Sequence, residues 1–162
     1  MSSNFEHSVT YPFSTTDYWA LITTEQYWRD LLAATNSDHG SLESFTLDGD
    51  EATVVTKQGV DEANLPKAVT AVRPGDLEIP RTCVFRLSGD TIIGRMEASV
   101  TGAPAKISGD IIISGDQATA QYTGAVDVSV PFVGGRIEKA VIEQVVYLLD
   151  AEHDATVDFR QG

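Results

Sequence analysis

Apolar and polar side chains alternate with a period of two from Phe5 to Tyr11, where Phe5, His7, Val9 and Tyr11 share one side and Glu6, Ser8 and Thr10 the other. That period belongs to a half-buried strand. The same alternation returns over Arg81 to Leu87, Thr91 to Val100, Ala105 to Ile113 and Gln117 to Val130. Between these runs stand Ser88-Gly89-Asp90, Thr101-Gly102-Ala103-Pro104 and Ser114-Gly115-Asp116, and turn signals so closely spaced predict an antiparallel meander rather than crossover units. Leu42 to Leu47 and Ala52 to Lys57 flank Asp48-Gly49-Asp50 as a hairpin.

Helical signals interrupt this pattern in three places. Ser14 or Thr15 can cap a short helix through Leu21, and Thr23 or Thr24 a second one carrying Tyr27, Trp28, Leu31 and Leu32, which the polar stretch Thr35 to Gly40 ends. Pro131 to Phe159 runs without a further proline and predicts a long C-terminal helix with Pro131 in its first turn, about 40 Å long at roughly 1.5 Å per residue. Val60 to Asp76, with Leu65-Pro66 and Arg73-Pro74-Gly75-Asp76, reads as an irregular excursion with a helical turn.

One sheet face is apolar throughout: Cys83, Phe85 and Leu87; Ile92, Gly94, Met96, Ala98 and Val100; Ala105, Ile107, Ile111 and Ile113; Tyr122, Gly124, Val126 and Val128. The other face carries Arg86, Arg95, Glu97, Lys106, Asp110, Gln121, Thr123 and Asp127, the composition of a water-facing surface. A single cover is therefore needed. The C-terminal helix offers Ile137, Ala140, Val141, Gln144, Leu148, Ala151 and Ala155 on one stripe. The expected fold is α+β: a curved antiparallel sheet of about seven strands wrapped around the long C-terminal helix, with two short helices after the first strand. A second apolar set on that helix, Ile142, Val145, Val146 and Leu149, exceeds what one buried face requires. The short helices or a second subunit, making a homodimer, are the candidate covers.

The length of 162 residues fits one domain over residues 1–162. Eleven basic against 24 acidic residues give a formal charge of −13, which repels nucleic acid and anionic membrane surfaces. No window approaches the roughly 18 apolar residues of a bilayer span, and no leader pattern opens the chain, so the expected location is cytoplasmic. The single cysteine, Cys83, excludes an intrachain disulfide and a cysteine-cluster metal site.

No residue pattern names a reaction, a cofactor or a metal. His7, His39 and His153 lie too far apart to place two on one helix face or on adjacent strand positions. His7, on the inner face of strand one, is either a satisfied core histidine or a group that meets a ligand. Cys83 has no activating histidine near it in sequence. The Ser-Gly-Asp triplets at Ser88, Ser108 and Ser114 lack the Gly-x-Ser-x-Gly elbow; two read as hairpin turns and the third, at Ser108, as a bulge. Gly134-Gly135 reads as close packing of the helix start on the sheet rather than an anion site, and Trp19, Tyr27 and Trp28 as core or cavity-rim residues.

The order of strand, two short helices, six strands and a long helix resembles the helix-grip fold of the START and birch-pollen-allergen superfamily, SRPBCC. Thr101-Gly102-Ala103-Pro104 ahead of a strand, Val130-Pro131-Phe132-Val133-Gly134-Gly135-Arg136-Ile137-Glu138 opening the last helix, Leu65-Pro66 and Tyr27-Trp28-Arg29 are similar to a bacterial family of uncharacterised function within it. The likeness covers essentially the whole chain, and its motifs are structural. The glycine-rich loop of the pollen allergens is absent, only Asp48-Gly49-Asp50 standing there. What the resemblance implies is a cavity between sheet and helix that binds or carries an apolar or amphipathic, lipid-like or polyketide-like molecule. Its candidate lining is His7 from strand one, Cys83, Phe85, Ile92, Met96, Ala98, Ile107, Ile111, Tyr122, Gly124 and Val126 from the meander, and Ile137, Val141, Gln144 and Leu148 from the helix. Small inward residues such as Gly94, Ala98, Ala105, Gly124 and Ala140 either leave volume for such a ligand or let helix and sheet approach closely. Two other functions stay open: a cyclase- or hydrolase-type enzyme, for which His7 is the ready acid or base, and a protein-interaction or chaperone-like module built on the surplus helix face.

Overall fold

The computed structural model describes residues 2–161. The elements run β1 (Ser2–Thr10), α1 (Thr15–Ile22), α2 (Glu25–Thr35), β2 (Ser41–Asp48), β3 (Glu51–Val60), a 3-10 turn (Glu62–Asn64), α3 (Lys67–Val72), β4 (Leu77–Ser88), β5 (Thr91–Ser99), β6 (Ala105–Ser114), β7 (Thr119–Val128) and α4 (Gly134–Gln161). All seven strands form one antiparallel sheet in the order β1-β7-β6-β5-β4-β3-β2. Successive hairpins build β2 to β7, and α1 with α2 carries the chain from β1 at one edge to β2 at the other. The expected α+β helix-grip architecture is therefore present. Ser14 caps α1 by accepting the Asp17 N–H at 3.1 Å, whereas Thr24 makes no side-chain cap on α2 and donates back to the Ala20 carbonyl at 2.9 Å. The indole N–H of Trp28 donates to the Ile22 carbonyl at 2.9 Å, and its ring stacks on Phe85 at 6.0 Å, so the short helices close one end of the core.

Several boundaries and contacts differ from the sequence reading. β4 begins at Leu77 instead of Arg81 and contains Pro80. Among the described residues, Leu77 to Pro80 pairs with β3 on one side, because the β5 ladder starts at the Arg81–Ala98 pair, and a proline is tolerated in a stretch paired on one side. Ser108-Gly109-Asp110 is not a bulge. It runs in unbroken register through β6, with Gly109 between Met96 and Gly124, and the irregularity of the sheet lies in β2 between Leu42 and Ser44. α4 begins at Gly134, and Pro131 belongs to the turn before it, where Phe132 takes a φ of 71° with its side chain fully exposed. A Cβ on Gly134 would stand 2.7 Å from the Val128 carbonyl oxygen, so the first turn of α4 packs directly on the end of β7. Around Gly135 nothing approaches within 4 Å.

The largest difference is the rotation of α4. Gln144, expected beneath the helix, is exposed, while Leu149 from the surplus set is only 2 % exposed. Among the residues that go inward with Ile137 and Leu149, three are polar: Glu138, Glu152 and Thr156. Each finds a partner. Glu138, with no exposed surface, accepts from Ser3 Oγ at 2.6 Å and from the Val128 N–H at 2.9 Å; Glu152 pairs with Arg81; Thr156 shares a hydrogen bond of 2.7 Å with Tyr27. A rule that sends polar residues outward therefore sets the buried stripe of the helix off its true centre, because burial excludes unpaired polar groups rather than polar groups as such.

Glu138 also makes stability depend on pH. The Ser3 hydroxyl first, and then the Val128 N–H, hold its carboxyl below the usual range. A carboxyl lowered on folding contributes stability that is complete above its unfolded pKa, near 4.3, and is lost as pH falls through the folded value. The Tm of Glu138→Gln is expected to lie several degrees below that of the wild type at pH 7, and the gap to narrow below about pH 4.5. Thermal melts of both proteins from pH 7 to 3 check this; a gap independent of pH would contradict it.

Candidate ligand pocket

The course of α4 creates a gap. Its backbone comes close to β1, β7, α2 and α3 but stands off the middle strands β4, β5 and β6. A half-open pocket of about 540 Å³ lies there. Its inner wall is apolar: Ile79 from β4, Met96 and Ala98 from β5, Ile107 from β6, and Val141, Val145, Leu148 and Leu149 from α4. The volume falls within the usual range of small-molecule sites, roughly 300–1,000 Å³.

The loop after α2 forms one lip of the mouth, with Thr35 through His39 against Gly59, Val60 and Asp61 at the end of β3. Asn36 clamps it in place: its Nδ2 donates to the Gly59 carbonyl and its Oδ1 accepts the Gly59 N–H, both at 2.9 Å. Gly59 is required there, since a Cβ would fall 2.7 Å from His39 Cβ. His39 Nε2 lies 2.6 Å from Asp61 Oδ1, and this hydrogen bond, against the cost of desolvation, raises the imidazole above its ordinary pKa. With Asp76, the pair forms a His-Asp-Asp group whose ligand atoms lie within 4.8 Å of one another, at the surface of the molecule. Asp61 is already engaged by His39, and Asp76 accepts the Glu62 N–H at 2.8 Å, so both carboxylates have structural work in the loop.

Polar groups line the deep side of the pocket. Arg81 Nη1 donates to Glu152 Oε2 at 2.8 Å, with side chains 9 % and 12 % exposed, which makes this the buried ion pair that ties α4 to β4. Gln58 lies beside it, its Oε1 accepting from Thr56 Oγ1 at 3.4 Å and from Arg81 Nη1 at 3.5 Å. A void of about 10 Å³ behind Arg81 is lined by Cys83, Trp28 and Glu152 among others. Burial pushes the Cys83 thiol up, against the opposing pull of Arg81, and burial likewise pushes the phenols of Tyr27 and Tyr122 well up, so these groups stay protonated at neutral pH.

Of the residues expected from sequence to line a cavity, Met96, Ala98, Ile107, Val141, Gln144 and Leu148 surround the pocket, and Cys83 the small void. Phe85, Ile92, Ile111, Tyr122, Val126 and Ile137 are instead packed in the core. Gly124 leaves no volume, because Phe5 and the β6 backbone occupy the space its side chain would take, and Gly94 is filled in the same way by Phe85 and Ile111. His7 stands apart from the pocket and bonds Asp150 of α4 at 2.7 Å. The sequence reading missed Gln58, Arg81 and Glu152. The signal for the first two was present: Gln58 is in phase with the buried Ala52, Val54 and Thr56, and Arg81 with Cys83 and Phe85.

Among the described residues no helix is long and apolar enough to cross a membrane. In fold, the chain is similar to an aromatase/cyclase, Zhui, from Streptomyces sp. R1128, with a TM-score of 0.62 and 12% identity over 99% of this chain and 94% of that one. It is also similar to norcoclaurine synthase from Thalictrum flavum in complex with dopamine and hydroxybenzaldehyde (TM-score 0.57, 13% identity, 98% and 88% covered) and to Ara h 8.0201 (TM-score 0.52, 10% identity, 98% and 99% covered). These likenesses show the helix-grip fold. In sequence, an uncharacterized protein of Mycobacterium tuberculosis is 31% identical over 171 residues, spanning 96% of this chain and 95% of its own, and one of Mycobacterium bovis is equally similar. A family model described as "protein of unknown function (DUF2505)" matches residues 6–159, and the chain therefore belongs to the DUF2505 family.

Proposed function

We propose that this protein binds, and in binding carries, an apolar or amphipathic small molecule in the pocket between α4 and strands β4 to β6. The observation that carries the reading is the stand-off of α4 from those strands, which leaves about 540 Å³ walled by aliphatic and methionine side chains. Open apolar volume of this size is costly for a fold to keep, since interiors otherwise pack to crystal density. The solved structures lend support through their common fold, and one of them holds two small aromatic molecules. Binding without turnover is favoured because His7, the expected acid or base, lies outside the pocket, and the charges of Arg81 and Glu152 are spent on each other.

The test is to fill the pocket from two sides. Ala98→Trp and Ile107→Trp each place an indole where the ligand would lie, and each is expected to reduce binding of the neutral fluorophore Nile red at least tenfold while circular dichroism shows the fold retained. Undiminished binding in both folded variants overturns the assignment.

A further inference from the structure

Two donors carried by residues of the pocket wall have no partner within the described residues: Gln58 Nε2 and Arg81 Nε. Both side chains are more than nine-tenths buried, and both belong to the pocket wall. The orientation of the Gln58 amide is fixed by its surroundings. Its Oε1 faces two donors, Thr56 Oγ1 at 3.4 Å and Arg81 Nη1 at 3.5 Å, so its NH2 is the end left over; turned the other way, the amide would set NH2 against the guanidinium. Folded proteins rarely leave a buried donor unmade, because its desolvation is then uncompensated. The aliphatic wall supplies no acceptor.

We infer that the molecule bound here is neutral and carries a carbonyl-type acceptor, a ketone, ester or amide oxygen, which takes the free N–H of Gln58 at the deep end while its apolar body lies against Ile79, Met96, Ala98, Ile107, Val141 and Leu148. The inference rests on the pocket reading above and adds the chemical class of the ligand. Charge decides between a carbonyl and a carboxylate. The guanidinium of Arg81 is already neutralised by Glu152 at 2.8 Å, so an entering carboxylate would meet a paired cation and the like charge of Glu152. It would also have to pass Asp38 and Asp61 at the mouth of a chain whose formal charge is −13. A neutral oxygen meets neither penalty.

Three probes of one shape separate the possibilities: 2-acetylnaphthalene with a ketone, 2-ethylnaphthalene with a methylene in its place, and 2-naphthoate with a carboxylate, each displacing Nile red from the full chain. The ketone is expected to compete about tenfold better than the ethyl compound, the gain of answering one buried donor, and naphthoate to be the weakest. Gln58→Leu is expected to level ketone and ethyl compound, and Gln58→Glu, which replaces the donor by an acceptor, to place the ketone below the ethyl compound. Equal competition by ketone and ethyl compound in the wild type overturns the inference and leaves the pocket standing. Tighter binding of naphthoate overturns it in favour of anion recognition by Arg81. Failure of Nile red to bind at all, or its displacement by none of the three, counts against the pocket reading itself. The wild-type comparison is decisive even if a Gln58 variant does not fold.

Discussion

Glu152→Ala is expected to destabilise the protein by about 3–5 kcal/mol, the usual cost of stripping one partner from a buried ion pair. Arg81 is 9 % exposed and Glu152 12 %, so little water meets the pair, and the guanidinium would be left beside Cys83, Gln58 and the apolar wall of the pocket. Because the pair joins the centre of β4 to the second half of α4, its loss also loosens the helix over the ligand site. Removing both partners has a different outcome. Arg81→Met with Glu152→Leu takes away the charge together with its counter-charge, and its stability is expected within about 1 kcal/mol of the wild type, since well-packed apolar residues often substitute for a buried pair without loss. Urea unfolding of the wild type, the single variant and the double variant measures this. A single variant as stable as the double one would show that the pair is effectively solvated and that the account of the α4 anchor is wrong.

Gly124→Ala is expected to cost about 3 kcal/mol, although it adds one methyl group to a strand. A Cβ at this position would collide with the Ser108 carbonyl oxygen and lie 2.9 Å from both Gly109 Cα and the Phe5 ring. Backbone is on two of these three sides, and backbone cannot rotate away. β6 and β7 pass each other here with Gly109 opposite Gly124, and β1 lays Phe5 over the gap. Relief would require parting the β6–β7 ladder at its centre. Gly135→Ala is the control, because nothing lies within 4 Å of the added carbon in the first turn of α4; it is expected to be neutral or slightly stabilising by helix propensity. Thermal melts of the two variants compare them directly. If Gly124→Ala melts with the wild type, the close approach of these strands is not what the position requires.

The two substitutions bear on different parts of what could be read in the chain. Gly124 was counted from its small size among residues that leave volume for a ligand. Size alone has two consequences, an empty space or a close approach, and the strand register with Phe5 above it decides for the second. Ala98 carried the same ambiguity and resolved the other way, lining the pocket, because α4 stands off β5 but not β7.

What the sequence determined by itself was the local periodicity and punctuation. Alternation of period two identified the strands, Ser-Gly-Asp and Asp-Gly-Asp marked hairpins whose Gly49, Gly89 and Gly115 adopt positive φ, and Ser14 capped α1. These are consequences of interactions between near neighbours, which the linear order contains. The order of elements then sufficed for the helix-grip architecture and a seven-stranded antiparallel sheet. Only the tertiary structure decided the rotation of α4 and with it the site. Glu138, Glu152 and Thr156 turn inward because Ser3, Arg81 and Tyr27 await them from 71 to 135 residues away in the chain, and no short window of sequence contains both members of such a pair. The pocket, with Gln58 and Arg81 at its deep side, exists because those long-range pairs hold the helix where they do.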